Sequence, residues 1–405
     1  MSELKGIEYL RQQLELKRPR VLVKYSYYNK KETSWKPSAV IPDNLKRKFK
    51  SSLGWCGTAV DAIVNRLVYD GIEDDFYSIN DIFLGNNPGM FFRSAIQGAL
   101  VSSCSFIYIS KDGEGKPRLQ VIDGGNATGR YDVITGMLLE GYAVLERDDY
   151  GNPEIEAYFT PDATYFIYSG KPEAMTKNDV KYPYLVPVVF KPDAERPFGH
   201  SRITRTCMIV QDAAKDVITR SDITAEFYSF PQKYILGLSQ DAEKLDSYKA
   251  LISSFLSFTK DEDGEKPVVG QFQQQSMTPH IEQLKMYASI FAAETGLTLD
   301  DLGFVSDNPS SADAIKASRD ALLGTIEDAK ITFSTGFLNA GFIAACIRDG
   351  MDYDRQMLYR SRVLWKPSVR ADAASLSGVG DAINKIKEAF PDYITEKKIR
   401  ELTGI

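Results

Sequence analysis

Histidine is nearly missing from this 405-residue chain, with only His200 and His280 present. Histidine-rich zinc sites and Ser-His-Asp constellations therefore have almost no material. Cysteine is sparse as well. Cys56, Cys104, Cys207 and Cys346 are scattered, with no CxxC pair, which reads as free thiols in a reducing compartment rather than a disulfide framework. An excess of positive charge is also absent. The 49 Lys and Arg stand against 55 Asp and Glu, a net charge of −6. A protein that coats DNA needs surplus Lys and Arg to release counterions, so that class is disfavoured. No clean apolar run reaches the ~20 residues of a membrane span. The most apolar stretch, residues 331–347, is interrupted by Ser334, Thr335, Gly336, Asn339 and Gly341. The opening MSELKGIEYLRQQLELKR has no apolar core, so no signal peptide and no membrane partner are expected. Internal repeats and low-complexity tracts are not visible.

What is present is enough to build a core. Hydrophobic residues make up 43% and charged residues 26%, which excludes wholesale disorder. At about 150 residues per domain the length suggests two or three domains. Leu4, Ile7, Leu10 and Leu14 recur at helical spacing. So do Val60, Ile63, Val64, Leu67 and Val68, with Gly71 as the expected C′ residue. A third helix is expected over residues 90–101. The period then changes. Residues 106–109, 119–122, 142–145, 155–159 and 164–168 read as short strands separated by Asp112-Gly113, Asp149 to Asn152 and Ser169-Gly170. The pattern predicts an antiparallel meander packed on helices, an α+β arrangement.

After a loop over residues 191–199, Ser201 is the expected N-cap of a helix running to about Ser229, stopped by Pro231. Ile203, Cys207, Val210, Ala214 and Val217 form only a narrow stripe on it. Arg202, Arg205, Asp212, Lys215, Asp216, Arg220, Asp222 and Glu226 occupy the other faces. Such a helix suits contact with neighbouring copies better than a monomer's core. A small module follows, with a strand at residues 233–236, a short amphipathic helix marked by Leu245, Tyr248, Ile252 and Phe255, and an exposed turn at residues 261–266 leading to Pro267-Val-Val. Another helix is expected near residues 281–295, then a polar loop. Ser310-Ser-Ala-Asp313 matches a capping box and opens the longest helix, which Gly350 ends. A strand within residues 356–369 and two helices split by Pro391 complete the chain.

Catalytic motifs reduce to near-misses. Gly124-Gly-Asn-Ala-Thr-Gly129 has phosphate-loop glycine spacing but lacks the Lys and Ser/Thr that engage phosphate and magnesium, and it reads as a hairpin turn. Asp261-Glu-Asp-Gly-Glu lacks EF-hand spacing. His200 and His280 flank helix starts, where capping or surface roles are expected. The clusters Lys17-Arg18-Pro-Arg20 and Lys46-Arg47-Lys48 could meet nucleic acid or an acidic partner, but read first as solvated surface. No catalytic residues, no metal ligands and no cofactor are expected.

The order of elements and several motifs resemble the portal proteins of tailed bacteriophages, the long-tailed type in particular. Tyr27-Tyr28 after Leu22-Val-Lys24 is similar to an early paired-tyrosine signature. Residues 60–71 are similar to the helix before the first wing strands. Pro197-Phe-Gly-His-Ser-Arg-Ile203 resembles the start of a first stem helix, with His200 where a basic or small residue is usual. Leu302-Gly303 followed by Asn308-Pro-Ser-Ser-Ala-Asp-Ala-Ile315 resembles the loop-to-helix junction after a second stem helix, and is the most specific of these matches.

The resemblance implies a portal fold with a β-rich wing, a long-helix stem, a small α/β clip and a short helical crown. Chain order places the wing at residues 1–200, the first stem helix at 201–230 and the clip at 231–279. The second stem helix falls at 280–295, the tunnel loop at 296–311, the long wing helix and wing strand at 312–369, and the crown at 370–405. It further implies a ring of about twelve copies at one capsid vertex of a virion, assembled in the host cytoplasm. Double-stranded DNA would pass along the axis without sequence specificity. The large terminase subunit, a head-tail adaptor, and the major capsid and scaffolding proteins would be partners. DNA-facing loop candidates are Asp300, Asp301, Asp307, Asn308 and Ser310. Partner-binding clip candidates are Lys244, Lys249, Lys260, Asp261, Glu262, Asp263, Glu265 and Lys266. Geometry is compatible: twelve helices about 9 Å apart put their axes on a circle of radius about 17 Å, leaving a channel about 23 Å wide. Another ring-forming connector is the nearest alternative. A nucleic-acid-processing enzyme would need a metal-binding cluster that the sequence does not display.

Overall fold

The computed structural model describes residues 4–31, 51–229, 233–236, 268–271, 276–305, 319–368 and 373–389. Helices and antiparallel sheets mix along the chain, so the architecture is α+β.

Helix α1 (Ile7–Tyr28) buries Leu10, Leu14, Val21 and Tyr27 along one face and carries Pro19 inside it. Proline has no amide proton, so the carbonyl of Glu15 loses its helical donor there. Two buried carboxylates hold the start of α1 to the sheet beneath. Glu140 accepts from the backbone amides of Lys5 at 2.8 Å and Gly6 at 3.1 Å, and from the Tyr158 hydroxyl at 2.8 Å. Burial pulls the Glu140 carboxyl upward, but these donors and Arg130 win and hold it below the usual carboxylate range. Glu156 accepts from Arg11 Nε and Nη2, each at 3.0 Å, and from the Tyr142 hydroxyl.

Helix α2 (Trp55–Val64) closes at Asn65, whose amide donates to Asp61 O. Gly71 is therefore not a helix C′ residue. It lies in strand β1 (Tyr69–Glu73), where pairing with the distant strand β12 (Arg362–Trp365) skips a residue between Tyr69 and Gly71. The alternation that decides this element comes from a partner far away in sequence, which is why local spacing misread it. Helix α3 (Ile79–Leu84) and helix α4 (Pro88–Ser102) follow, the latter with Pro88 in its first turn, where a missing amide proton costs nothing.

Strand β2 (Cys104–Lys111) pairs with β3 (Pro117–Asp123) and with β9 (Leu185–Val189) in a three-stranded antiparallel sheet. Strands β4 (Ala127–Asp132), β5 (Met137–Arg147), β6 (Pro153–Phe159), β7 (Ala163–Tyr168) and β8 (Lys171–Lys177) form a separate five-stranded meander in chain order. The chain does turn at Gly124, but residues 124–131 are not a hairpin: β3 and β4 belong to different sheets, and Thr128 to Tyr131 are strand.

The longer elements complete the body. Helix α5 (Arg205–Ser229) begins four residues later than Ser201, because Thr204 rather than Ser201 caps it, its Oγ1 accepting from the Cys207 amide at 3.2 Å. Ser201 instead donates to Val101 O at 2.7 Å, at the end of α4. Strands β10 (Lys233–Leu236) and β11 (Val268–Gln271) pair antiparallel. Helix α6 (Thr278–Thr295) precedes a short 3-10 turn (Asp300–Leu302), and helix α7 (Asp320–Asp349) ends at Gly350. Helix α8 (Ala373–Ala389) lies before Pro391. The expected helix over 245–255, the capping box at 310–313 and the second helix of the C-terminal pair lie outside the described residues.

Helix α7 forms the centre of the core. It packs against β9, α3 and β12. Phe337 meets Phe92 with ring centroids 4.4 Å apart, and Phe92 stacks on Tyr69 at 4.0 Å. Trp365 closes the cluster, 6.2 Å from both Phe92 and Phe337. Among the described residues α7 is the one helix long and apolar enough to cross a membrane, and most of its apolar stretch is buried within the fold. All four cysteines are buried and none is in a disulfide.

Candidate assembly and channel site

The two helices expected to be stem, α5 and α6, run antiparallel against each other. Thr204 at the start of α5 donates to Glu294 at 2.8 Å, and Thr224 near its other end lies 3.2 Å from His280 Nε2 at the start of α6. The predicted stripe of α5 does not wait for a neighbouring copy, contrary to what its narrowness suggests: Ile203, Cys207, Val210, Ala214 and Val217 are all buried within this chain. Burial also pushes the Cys207 thiol up.

Polar ties fix the pair to the rest of the fold. The Arg202 guanidinium is buried and donates to Thr295 O, the last residue of α6, and to Ala59 O at 3.4 Å. Burial pushes its charged form down. The Gln211 side chain accepts from the Cys56 amide at 2.9 Å. Thr219 Oγ1 lies 2.6 Å from Ser51 Oγ. The paired tyrosines act as clamps: Tyr27 donates to Asp212 at 2.6 Å on α5, and Tyr28 donates to Asp61 at 3.0 Å on α2. Burial, then the Asp61 bond, push the Tyr28 hydroxyl up to about 12. Lys215, nearly inaccessible, lies 3.7 Å from Asp212 and over the Tyr27 ring.

The motif at residues 197–203 is a junction. Gly199 has φ of +69°, and a Cβ there would fall on Phe190 O, so only glycine fits. His200 Nε2 lies 2.6 Å from Asp193, and the His200 amide donates to Phe190 O at 2.9 Å. The Arg202 amide donates to Leu100 O at 2.7 Å. One short segment thus joins β9, α4 and α6.

On their outward sides α5 and α6 carry apolar residues that no other described residue buries. Ile209 is 57% exposed, Met286 49% and Ile290 43%. On the loop after α6, Leu297 and Leu302 are buried, anchoring its first part against the start of α7. Asp301 accepts from the Thr298 amide at 3.0 Å and hydroxyl at 2.9 Å, and pairs with Arg319 at 3.6 Å. Asp300 is exposed. Asp307, Asn308 and Ser310 lie outside the described residues, as do all eight clip candidates from Lys244 to Lys266. Among the described residues no group of three metal-ligating side chains comes together.

Sequence reasoning missed Arg202, Gln211, Tyr27 with Asp212, and Lys215 as structural ties. Apart from the local Lys215–Asp212 pair, their partners stand about a hundred residues or more away, so no local spacing marks them.

No protein-family model matches the sequence. Two curated proteins do. The portal protein of Mycobacterium phage L5 is 31% identical over 233 residues, covering 54% of this chain and 47% of its own length. The portal protein of Mycobacterium phage D29 is 29% identical over 264 residues, covering 60% of this chain and 53% of its own. The chain thus spans about half the length of the curated relatives it matches. A chain from the neck of a native gene transfer agent particle, computed with C12 symmetry, aligns over 96% of this chain and 99% of its own, at 14% identity and a TM-score of 0.47, below the level at which a shared fold follows. Over the stretch it shares with the two mycobacteriophage proteins, this chain is a sequence homologue of bacteriophage portal proteins.

Proposed function

We propose that this chain is the subunit of a portal: about twelve copies close into a ring at one vertex of a virion, and DNA enters and leaves along the axis. Sequence kinship names the class. The observation on this chain that carries the reading is the α5–α6 pair, fixed inwardly by Arg202, Gln211 and the Tyr27 clamp while Ile209, Met286 and Ile290 face outward. Apolar residues grouped on an exposed helical face mark a contact with another protein surface. A neighbouring copy presents a matching helix pair at every step of a ring.

In this reading α5 and α6 are stem, the module around β10 and β11 is clip, and the sheets with α1 to α4 and α7 are wing. The residues from Asp307 to Ser310 face passing DNA, and the clip charges from Lys244 to Lys266 meet the terminase large subunit or a head-tail adaptor. Capsid and scaffolding proteins surround the wing. The acidic balance of the chain keeps DNA contact weak, so that DNA slides. The chain has no nucleotide-hydrolysing or nuclease role of its own.

Negative-stain imaging with analytical ultracentrifugation tests the proposal. The expected result is closed rings with a central channel. A stable folded monomer at micromolar concentration, across several salt concentrations, overturns it.

A further inference from the structure

We propose that the basic face of α1, with the turn at residues 193–200, is a phosphate-backbone contact for double-stranded DNA lying outside any channel, made by Lys17, Arg20, Lys24 and Arg196. It rests on the portal reading only for the choice of DNA as the source of the phosphodiester.

Lys17, Arg20 and Lys24 stand three and four residues apart at the edge of the face of α1 that buries Leu10, Leu14 and Val21, with Lys17 and Lys24 half-buried and Arg20 exposed. At 1.5 Å per residue they span about 10 Å. Measured along the duplex axis, that is about three nucleotide steps of one strand, at about 3.4 Å each. The Lys17 ammonium is held in place by the fold: it lies 3.1 Å from Cys104 Sγ, 5.4 Å from the centre of the Phe106 ring and 5.7 Å from that of Phe198. Phe198 sits in the turn that also presents Arg196. Arg196 and Arg20 are exposed.

The group lacks its counter-charge. Among the described residues no carboxylate bonds to the side chain of Lys17, Arg20 or Lys24. Asp193, the carboxylate nearest in the turn, is engaged by the Arg196 amide at 2.6 Å and by His200 at 2.6 Å. Glu195 stands beside Arg196 as an exposed residue. The Lys24 ammonium is pushed down to about 8, first by burial, then by Lys17, with Arg196 and Arg20 adding to it and only Cys104 opposing. Arg18 and Arg147 border this group, donating to Asn126 Oδ1 at 2.5 and 2.9 Å, and there Asp123 and Glu156 supply counter-charge to Arg147. Like charges gathered without carboxylates between them destabilise a fold by themselves. An external polyanion removes that repulsion. Evenly spaced phosphates suit a row of cations on one helix face better than an acidic protein surface, whose carboxylates carry no such repeat.

Covalently closed circular duplex DNA tests this, since it has no end to thread through a ring. The full chain is titrated with relaxed plasmid from 50 to 200 mM salt, alongside the exposed-site variant Arg20→Glu/Arg196→Glu, whose folding is checked by thermal melting. The expected result is plasmid binding that weakens at least tenfold in the variant, with the log–log salt slope reduced by about 2, one contact per substituted residue. Unchanged affinity and slope overturn the proposal. Binding of polyglutamate without binding of plasmid overturns it too, assigning the face to an acidic protein. A sample that sediments as monomer yet loses plasmid binding in the variant refutes the portal reading and leaves the contact standing.

Discussion

Helix α7 and the α5–α6 pair are built from similar lengths of helix but finished differently. In α7 the stretch from Gly336 to Ile347 is buried on nearly every side, and even Asn339 is spent inside, donating to Thr135 O at 3.0 Å and accepting from Arg355 at 2.7 Å. In α5 and α6 one side is equally well packed while the other leaves isoleucines in solvent. A helix completed by its own chain contributes its stability to the monomer. A helix left half covered gains the rest only when another molecule arrives.

The contrast can be broken or sharpened by substitution. The largest effect is expected at the finished helix. Phe337→Ala opens a cavity among Phe91, Phe92 and Trp365 and should cost about 3–5 kcal/mol in urea unfolding. A loss under 1 kcal/mol would mean that α7 is not the centre of the core.

At the join between the two regions, Arg202→Met leaves Thr295 O without its donor and should cost about 1–3 kcal/mol. Hydrogen exchange should locate the loosening at the end of α6. Protection lost evenly over the whole chain would contradict a local tie.

Lys24 should behave in the opposite sense. Its ammonium is held at about 8, below the value of an unfolded lysine, so the unfolded chain binds the proton more tightly. The penalty is complete below pH 8 and fades as pH rises toward about 10.5. Lys24→Met should therefore stabilise the fold by about 1–2 kcal/mol at pH 7, solvent screening included, with the gain shrinking above pH 8. A gain independent of pH would trace to packing rather than charge.

The smallest change in monomer stability is expected on the uncovered side. Ile209→Ser/Ile290→Ser should alter unfolding by no more than about 0.5 kcal/mol, as exposed substitutions do. The same variant should shift sedimentation from rings toward monomers. Intact rings would place the contact between copies elsewhere.

How much of this could be read from the chain alone depended on the distance to the deciding partner. The helix of residues 88–102 and strands β5, β6 and β7 of the meander announce themselves by periodicity, because their burial repeats within a few residues, whereas β4 reads locally as a turn. The narrow stripe of α5 was legible for the same reason, since Ile203, Cys207, Val210, Ala214 and Val217 recur at helical spacing. Thr204 was passed over for Ser201 because both are good caps, and only the bonds from Ser201 to the end of α4 separate them. Strand β8, KPEAMTK, is exposed along its whole length and has no apolar alternation to detect. Glu140 and Glu156 look like ordinary surface carboxylates until α1 is laid over them. Of the loop candidates, Asp301 proves to be occupied by Thr298 and Arg319, which no composition argument distinguishes from its exposed neighbour Asp300.

The pairing of β1 with β12 has a consequence for how the chain reaches this structure. Tyr69 and Trp365 are register partners although most of the chain lies between them. Contacts of such long separation form late, because the intervening loop must lose its entropy first. During synthesis the cluster of Tyr69, Phe83, Phe91 and Phe92 is made early, while Phe337 and Trp365 leave the ribosome much later. A nascent chain therefore carries an open aromatic surface through most of its elongation, the condition in which partly folded chains aggregate. Expression at low temperature or with a holdase chaperone should raise soluble yield mainly by shielding that early cluster until the final strand arrives.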